Sequence, residues 1–306
     1  MLTRRDLLAG SLSAATAAPD EKQAMQVCIF SKHLQWLSVP DAAALAAEIG
    51  FDGIDLTVRE DGHVLPARAA DDLPKAVEAV RKAGLDVPMI TAGIVDVRSP
   101  HAEKVLATAR ALGIRRYRWG GFRFTPSRPI PEQLAECQAR ARDLAALNQQ
   151  YGICAMYHTH SGAGEVGASI WDLYLILKDL DTNAVAVNYD IGHATVEGGL
   201  GGWIHSTRLT LPMMRGVAVK DFLWEKAANG KWRPAWCPIG HGMVQLAPFF
   251  AMLRQGGFSG PVQLHFEYET LGGADKGRPN LTIGRKAFVE MVRGDLHRVR
   301  DMMREG

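Results

Sequence analysis

The 306-residue sequence predicts one (β/α)₈ barrel, and three observations lead to that fold class. Short apolar runs alternate with amphipathic stretches of helical period from Gln26 to the C-terminus. The alternation repeats eight times, and no GxGxxG follows the first strand, which leaves an open, doubly wound sheet as the weaker reading. Strands too apolar for a solvated face imply a parallel sheet covered by helices, and eight such units close on themselves. The length fits, because α/β barrels of ~250 residues fold as a single unit.

The first strand is "QVCIF" (26–30), followed by the helical "SVPDAAALAAEIG" (38–50), with Pro40 and Asp41 suited to a helix start and Gly50 to its stop. "DGIDLTV" (52–58) precedes a helix over 72–84, and "LDVPMITAG" (85–93) precedes one over 101–113. "IRRYRWG" (114–120) leads into a long helix over 131–152, and "ICAMYH" (153–158) into one over 168–180. "AVAVNYD" (184–190) leads into a looser helical region around 203–214. "RGVAVKD" (215–221) is followed by a Trp- and Gly-containing insertion (222–243) and a helix over 245–257. "GPVQLHFEYE" (260–269) is the last strand, closed by a helix from about 281 to 303.

Composition narrows the class. Hydrophobic residues make up 47% and charged residues 22%, with a formal charge of +2, which describes an ordinary globular chain and argues against a nucleic-acid partner. Cys28, Cys137, Cys154 and Cys237 lack CxxC spacing and disulfide-scaffold density; Cys28 and Cys154 read as small buried hydrophobes. The N-terminus "MLTRRDLLAGSLSAATAAPDEKQ" places Arg4 and Arg5 before a small-residue stretch ending in alanines, the pattern of a twin-arginine export signal. Residues 1–25 are therefore expected to be signal and linker, cleaved near Ala18, with the barrel over 26–306 and a periplasmic or exported mature protein. No run approaches the ~20 apolar residues of a membrane helix, so no membrane is expected for the mature form.

In such a barrel, chemistry sits at the C-terminal strand ends and the loops behind them. Lys32 and His33 follow strand one, and Arg59, Glu60 and His63 follow strand two; Thr91 ends strand three and Trp119 strand four. Strand five supplies His158 and His160, strand six Asp190 and His193, strand seven Lys220 and Asp221, strand eight His265, Glu267 and Glu269. Most of the ten histidines gather at this rim, which favours metal or proton work. Residues i and i+2 share a strand face, so His158 pairs with His160, and His265 with Glu267. Imidazole and carboxylate converging from strands five, six and eight suit a divalent metal, with His158, Asp190, His265 and Glu267 as candidate ligands. A desolvated Lys220 can serve as base, as electrophile toward an enolate, or as a Schiff-base former, while Asp221 points the other way and is suited to holding a loop.

"GFDGIDLTVREDGHVLP", "YHTHSG", "NYDIGHATVEGG", "GVAVKDF", "PIGHG" and "GPVQLHFEYE" occur in an order that resembles the xylose-isomerase-like barrels of the sugar phosphate isomerase/epimerase superfamily. The resemblance runs from Gln26 to the last helix. It implies a divalent metal held by Glu after strand five, Asp after strand six, His on strand seven and Glu after strand eight. Asp190 fits the strand-six ligand and His193 the histidine that follows it. His158 stands where the strand-five Glu is expected and His160 matches the following His, whereas Ala218 replaces the strand-seven His. The family's Gly-Glu-Gly becomes Gly240, His241 and Gly242, and the strand-eight Glu maps to His265 or Glu267.

Replacing Glu by His makes the site nitrogen-rich, so manganese, zinc, cobalt or iron is expected over magnesium. The resemblance implies a carbohydrate isomerase or epimerase, or a lyase with the same enolate chemistry, and the exported location points to a non-phosphorylated sugar, keto-sugar or glycoside, since sugar phosphates are largely cytoplasmic. Glu267 or His160 would move the proton, Lys220 would stabilise negative charge, and His33, Arg59, His63, Trp119 and His193 would contact substrate. The alternative is a non-catalytic sugar-binding barrel with a degenerate metal site. An endonuclease needs a basic DNA face, which the charge balance does not provide. Dimers and tetramers are common in the family, which implies a homo-oligomer.

Overall fold

A computed structural model describes residues 25–305, and the export segment expected over 1–25 lies outside the described residues but for Met25. In chain order the strands are β1 (Val27–Phe30), β2 (Gly53–Val58), β3 (Asp86–Ala92), β4 (Arg116–Trp119), β5 (Cys154–His158), β6 (Val185–Asp190), β7 (Met214–Val219), β8 (Asp221–Lys226), β9 (Trp232–Cys237) and β10 (Val262–Leu264). β1 to β7 and β10 form a closed parallel barrel. β1 closes it, pairing Val27 with Val262 on one side and Cys28 with Gly53 on the other. The helices are α1 (Val39–Ile49), α2 (Ala69–Lys82), α3 (Ala102–Ala111), α4 (Ile130–Tyr151), α5 (Trp171–Leu177), α6 (Ile191–Gly198), α7 (Gly202–Thr210), α8 (Leu246–Gln255) and α9 (Arg285–Glu305).

Local signals set the boundaries. Ser38 caps α1 by accepting from Asp41 N at 3.3 Å, Pro40 sits in the first turn, and Gly50 ends the helix at φ 107°, a left-handed conformation natural to glycine. Two regions differ from the sequence reading. The insertion expected over 222–243 contains an antiparallel hairpin, β8 paired with β9, whose aromatic and charged residues alternate across the ladder. The looser region around 203–214 is α7 plus a one-turn 3₁₀ helix, and α6 begins directly after β6 because Asp190 accepts from His193 N at 3.0 Å and acts as its N-cap.

Burial explains where the polar site lies. One continuous apolar layer fills the space between strands and helices, while a separate small cluster of Met89, Cys154, Met156 and Ala186 plugs the barrel interior. Asn188 on β6 and Gln263 on β10, the strands on either side of β7, exchange amide hydrogen bonds of 3.0 and 2.9 Å, with Asn188 reaching on to His158. The interior thus passes from apolar to amide to ionisable toward the C-terminal mouth. All four cysteines are free, and Cys28 and Cys154 are buried as expected. No helix among the described residues is long and apolar enough to cross a membrane.

Candidate active site

Strand alternation builds the cluster. In β5 and β6 the residues His158, Asn188 and Asp190 turn into the barrel, and the intervening Tyr157 and Tyr189 turn out to the helices. Lys220 follows β7, and its side chain is 1% exposed. Its Nζ donates to His193 Nε2 at 2.6 Å and to Glu267 Oε2 at 3.0 Å, and stands 3.3 Å from Asp190 Oδ2. Trp236, delivered by β9, covers it with the ring centre 4.1 Å from Nζ, a cation-π contact that replaces lost hydration.

The hydrogen bonds assign the imidazole protons. His193 Nε2 accepts from Lys220, so Nδ1 carries the proton and donates to Ser161 Oγ at 2.8 Å. His160 Nε2 accepts from the Arg118 guanidinium at 3.2 Å. Burial, reinforced by the charges of Arg118 and Lys220, holds His158, His193 and His265 well below the ordinary histidine range and His160 at about 3, so all four are neutral near pH 7. Burial raises Asp190 to about 6 against the pull of Lys220. Burial also opposes ionisation of Glu267, yet Lys220 and Lys32 outweigh it and hold the carboxyl at about 2.

Two groups of ligand atoms lie within 4.8 Å of one another: His158, Asp190 and His265, and His158, His160 and His193. The first group fits a divalent cation on independent grounds. Asp190 Oδ2 is buried without an aligned hydrogen bond, 3.5 Å from His158 Nε2 and 4.0 Å from His265 Nδ1 with Lys220 Nζ at 3.3 Å, so a carboxylate oxygen and two imidazoles face one another with donor capacity to spare. Glu267 does not join either group; it turns to Lys220 instead, because the ammonium is the stronger local partner.

The remaining expected contacts divide. Arg59 reaches the mouth, its guanidinium carbon 5.6 Å from the centre of the Phe30 ring. His33 is fully buried, with Nδ1 on Ala274 O at 3.0 Å and Nε2 accepting from Phe266 N at 3.1 Å; both ring nitrogens are taken by backbone, which makes it a strut rather than a substrate contact. Trp119 points out of the barrel, packs on Phe122 and Tyr157, and donates its indole N–H to Val95 O at 2.8 Å, so it belongs to the core and not to the mouth. His63 stands to one side, beside Thr57 Oγ1 at 3.3 Å. Two residues escaped the sequence reading: Arg118 and Asp55. The strand "RYRW" signals Arg118 by parity, since it alternates with the outward Tyr117 and Trp119. Asp55 is buried beside Thr91 and raised to about 7 by that burial. A cleft of about 320 Å³, with His160, His193, Trp171 and Glu197 in its walls, leads off from the cluster.

Comparison with known proteins fits this geometry. A family model described as xylose isomerase-like TIM barrel matches residues 43–286. Among solved structures, 3-keto-D-glucoside 4-epimerase from E. coli is 15% identical with a TM-score of 0.63, covering 90% of this chain and 99% of that one. A probable 3-DHS dehydratase from Bacillus anthracis is 14% identical with a TM-score of 0.66, covering 90% and 99%. A xylose isomerase-like TIM barrel protein from Mycobacterium smegmatis in complex with magnesium is 17% identical with a TM-score of 0.60, covering 89% and 98%. At these identities the likeness is one of fold. D-inositol 3-phosphate glycosyltransferase of Segniliparus rotundus is 28% identical over 182 residues, 58% of this chain but 39% of that protein, so the chain spans well under half the length of this curated relative.

Proposed function

The chain belongs to the xylose isomerase-like TIM barrel family, and on that premise we propose that it is a carbohydrate isomerase or epimerase, or a lyase sharing their enolate chemistry, acting on a non-phosphorylated sugar, keto-sugar or glycoside. The observation that carries the reading is Lys220, buried between Glu267, Asp190 and His193 at the catalytic end of the barrel. A cation held there stabilises negative charge developing on a carbonyl oxygen as a neighbouring C–H proton leaves. Glu267, held ionised by the same ammonium, is the proton acceptor. When Lys220 turns its N–H toward the new oxyanion, Glu267 loses its main partner and its basicity rises, which brings it toward the range a general base needs. Neutral His160 and His193, each with a fixed tautomer, orient hydroxyls.

A divalent ion would be held by His158, Asp190 and His265, and when bound it supplies Lewis-acid polarisation of the carbonyl. Two imidazoles and one carboxylate favour manganese, zinc, cobalt or iron over magnesium. Export through the segment bearing Arg4 and Arg5, with periplasmic action on a small carbohydrate and assembly as a homo-oligomer, completes the proposal. The alternative, a non-catalytic sugar-binding barrel, draws support from Glu267 being turned to Lys220 and away from the metal triad. Lys220→Met and Glu267→Gln are the test: each is expected to lower kcat by about 10²-fold or more on any sugar the native enzyme converts, with the fold intact. Native conversion that survives both substitutions would refute the roles given to these residues.

A further inference from the structure

On one side of the mouth stand three cations that, among the described residues, hydrogen-bond to no carboxylate. Lys32 lies in the 3₁₀ turn after β1, Arg59 follows β2, and Arg118 is the inward residue of β4. The guanidinium carbons of Arg59 and Arg118 lie 5.6 and 5.4 Å from the centre of the same Phe30 ring, so one aromatic platform carries both. Among the described residues none of the three makes an ion pair within 4 Å, and Arg118 spends its hydrogen bond on the neutral ring of His160. Two carboxylates act on the group from a distance: ionised Glu267 on Lys32 and Arg118, though it is hydrogen-bonded to Lys220, and Asp55 on the two arginines, which accepts from Thr91 Oγ1 at 2.8 and 2.9 Å and is raised to about 7 by burial. Lys220, by contrast, is matched by Glu267 and Asp190.

Grouping like charges in a half-buried place is unfavourable. Burial lowers the pKa of Lys32 against the opposing pull of Glu267, with repulsion from Arg59, Lys220 and Arg118 adding to the fall, and burial brings Arg118 to about 10. Partly desolvated cations with no hydrogen-bonded carboxylate call for an anion. The planar forks of two arginines suit the paired oxygens of a carboxylate or phosphate, and the lysine adds a point charge. A hydroxyl would leave most of these donors unanswered.

We infer that the substrate carries a carboxylate, received by Lys32, Arg59 and Arg118 while the rest of the molecule faces Lys220 and Glu267. This rests on the carbohydrate reading above and narrows its substrate class. Calorimetric titration of the full chain with D-glucuronate, D-glucose 6-phosphate and D-glucose tests it. D-Glucuronate is expected to bind tenfold or more tighter than D-glucose, with affinity falling as salt rises, and D-glucose 6-phosphate binding tighter than D-glucuronate would overturn the carboxylate assignment. Arg59→Gln and Lys32→Gln, each on a half-buried side chain, are expected to reduce that preference several-fold. Equal affinity for neutral and anionic probes, binding of none of the three, or a preference untouched by both substitutions overturns the inference. Turnover of a neutral sugar with no anion preference would sink this inference alone; anion preference without any turnover would sink the enzymatic reading alone.

Discussion

Lys220 owes its setting to residues that are far apart in sequence: Asp190, His193, Trp236 and Glu267 come from β6, α6, β9 and the segment after β10. Its position at a strand end was legible, as were those of His158, His160, Asp190 and His265, because a barrel turns sequence order into rim position. Side-chain direction was the weaker inference. Trp119 was expected at the mouth because it ends a strand, yet its parity with Tyr117 sends it to the helices and sends Arg118 inward. His33 was misplaced for a different reason: it lies in a 3₁₀ turn, where period two does not apply, and the turn directs it back onto the Ala274 carbonyl. A prediction at this scale concerns Asp295, whose carboxyl accepts from Tyr268 Oη at 2.9 Å and Ile239 N at 3.1 Å and is raised to about 7 by burial. A carboxyl raised on folding favours the folded state fully below its unfolded pKa of ~3.9, and that advantage is lost as pH climbs through the folded value. Thermal midpoints from about pH 4 to 7 should therefore fall more steeply for the native chain than for Asp295→Asn, and parallel profiles would contradict the assignment.

At the scale of elements, the hairpin β8–β9 and the loop behind it depend on Asp221. Its carboxylate accepts from Phe222 N at 2.9 Å, Gly240 N at 3.0 Å, Gly242 N at 2.8 Å and Val244 N at 3.0 Å. Lys220 and Asp221 thus divide one dipeptide: the first turns to the chemistry, the second ties down the segment that brings Trp236 over it. Glycine at 242 is required by space, since a Cβ there would meet Asp221 Oδ1 at 2.1 Å. Asp221→Ala should cost on the order of 3 kcal/mol in denaturant unfolding, because four N–H groups, that of buried Phe222 among them, lose one buried carboxylate acceptor together. A loss below about 1 kcal/mol would show that water or backbone rearrangement satisfies them. The helical and strand units were legible because each has its own period and stop signals, Gly50 among them. The hairpin was not, since its strands lie in an insertion between β7 and α8 and pair only with each other, outside the repeating strand-helix pattern.

For the molecule as a whole, closure of eight parallel strands brings residues from both ends of the chain into one mouth. Lys32 near the start and Glu267 near the end feel each other's charge there, and β1 joins β10 to complete the ring. Whole-chain repetition made this architecture readable, while the metal triad and the cation group arise only on closure, from side chains that no local pattern links. The central claim is proton transfer at a carbon beside a carbonyl, assisted by Lys220 and Glu267. Incubating the protein in D₂O with a panel of free ketoses, uronates and keto-glycosides, with manganese or zinc supplied, and reading solvent deuterium in the sugar by NMR tests it most directly. The account predicts deuterium at a single carbon next to the carbonyl of one substrate, and none with Lys220→Met or Glu267→Gln. Sugars that bind yet acquire no deuterium, with no eliminated product, would contradict it.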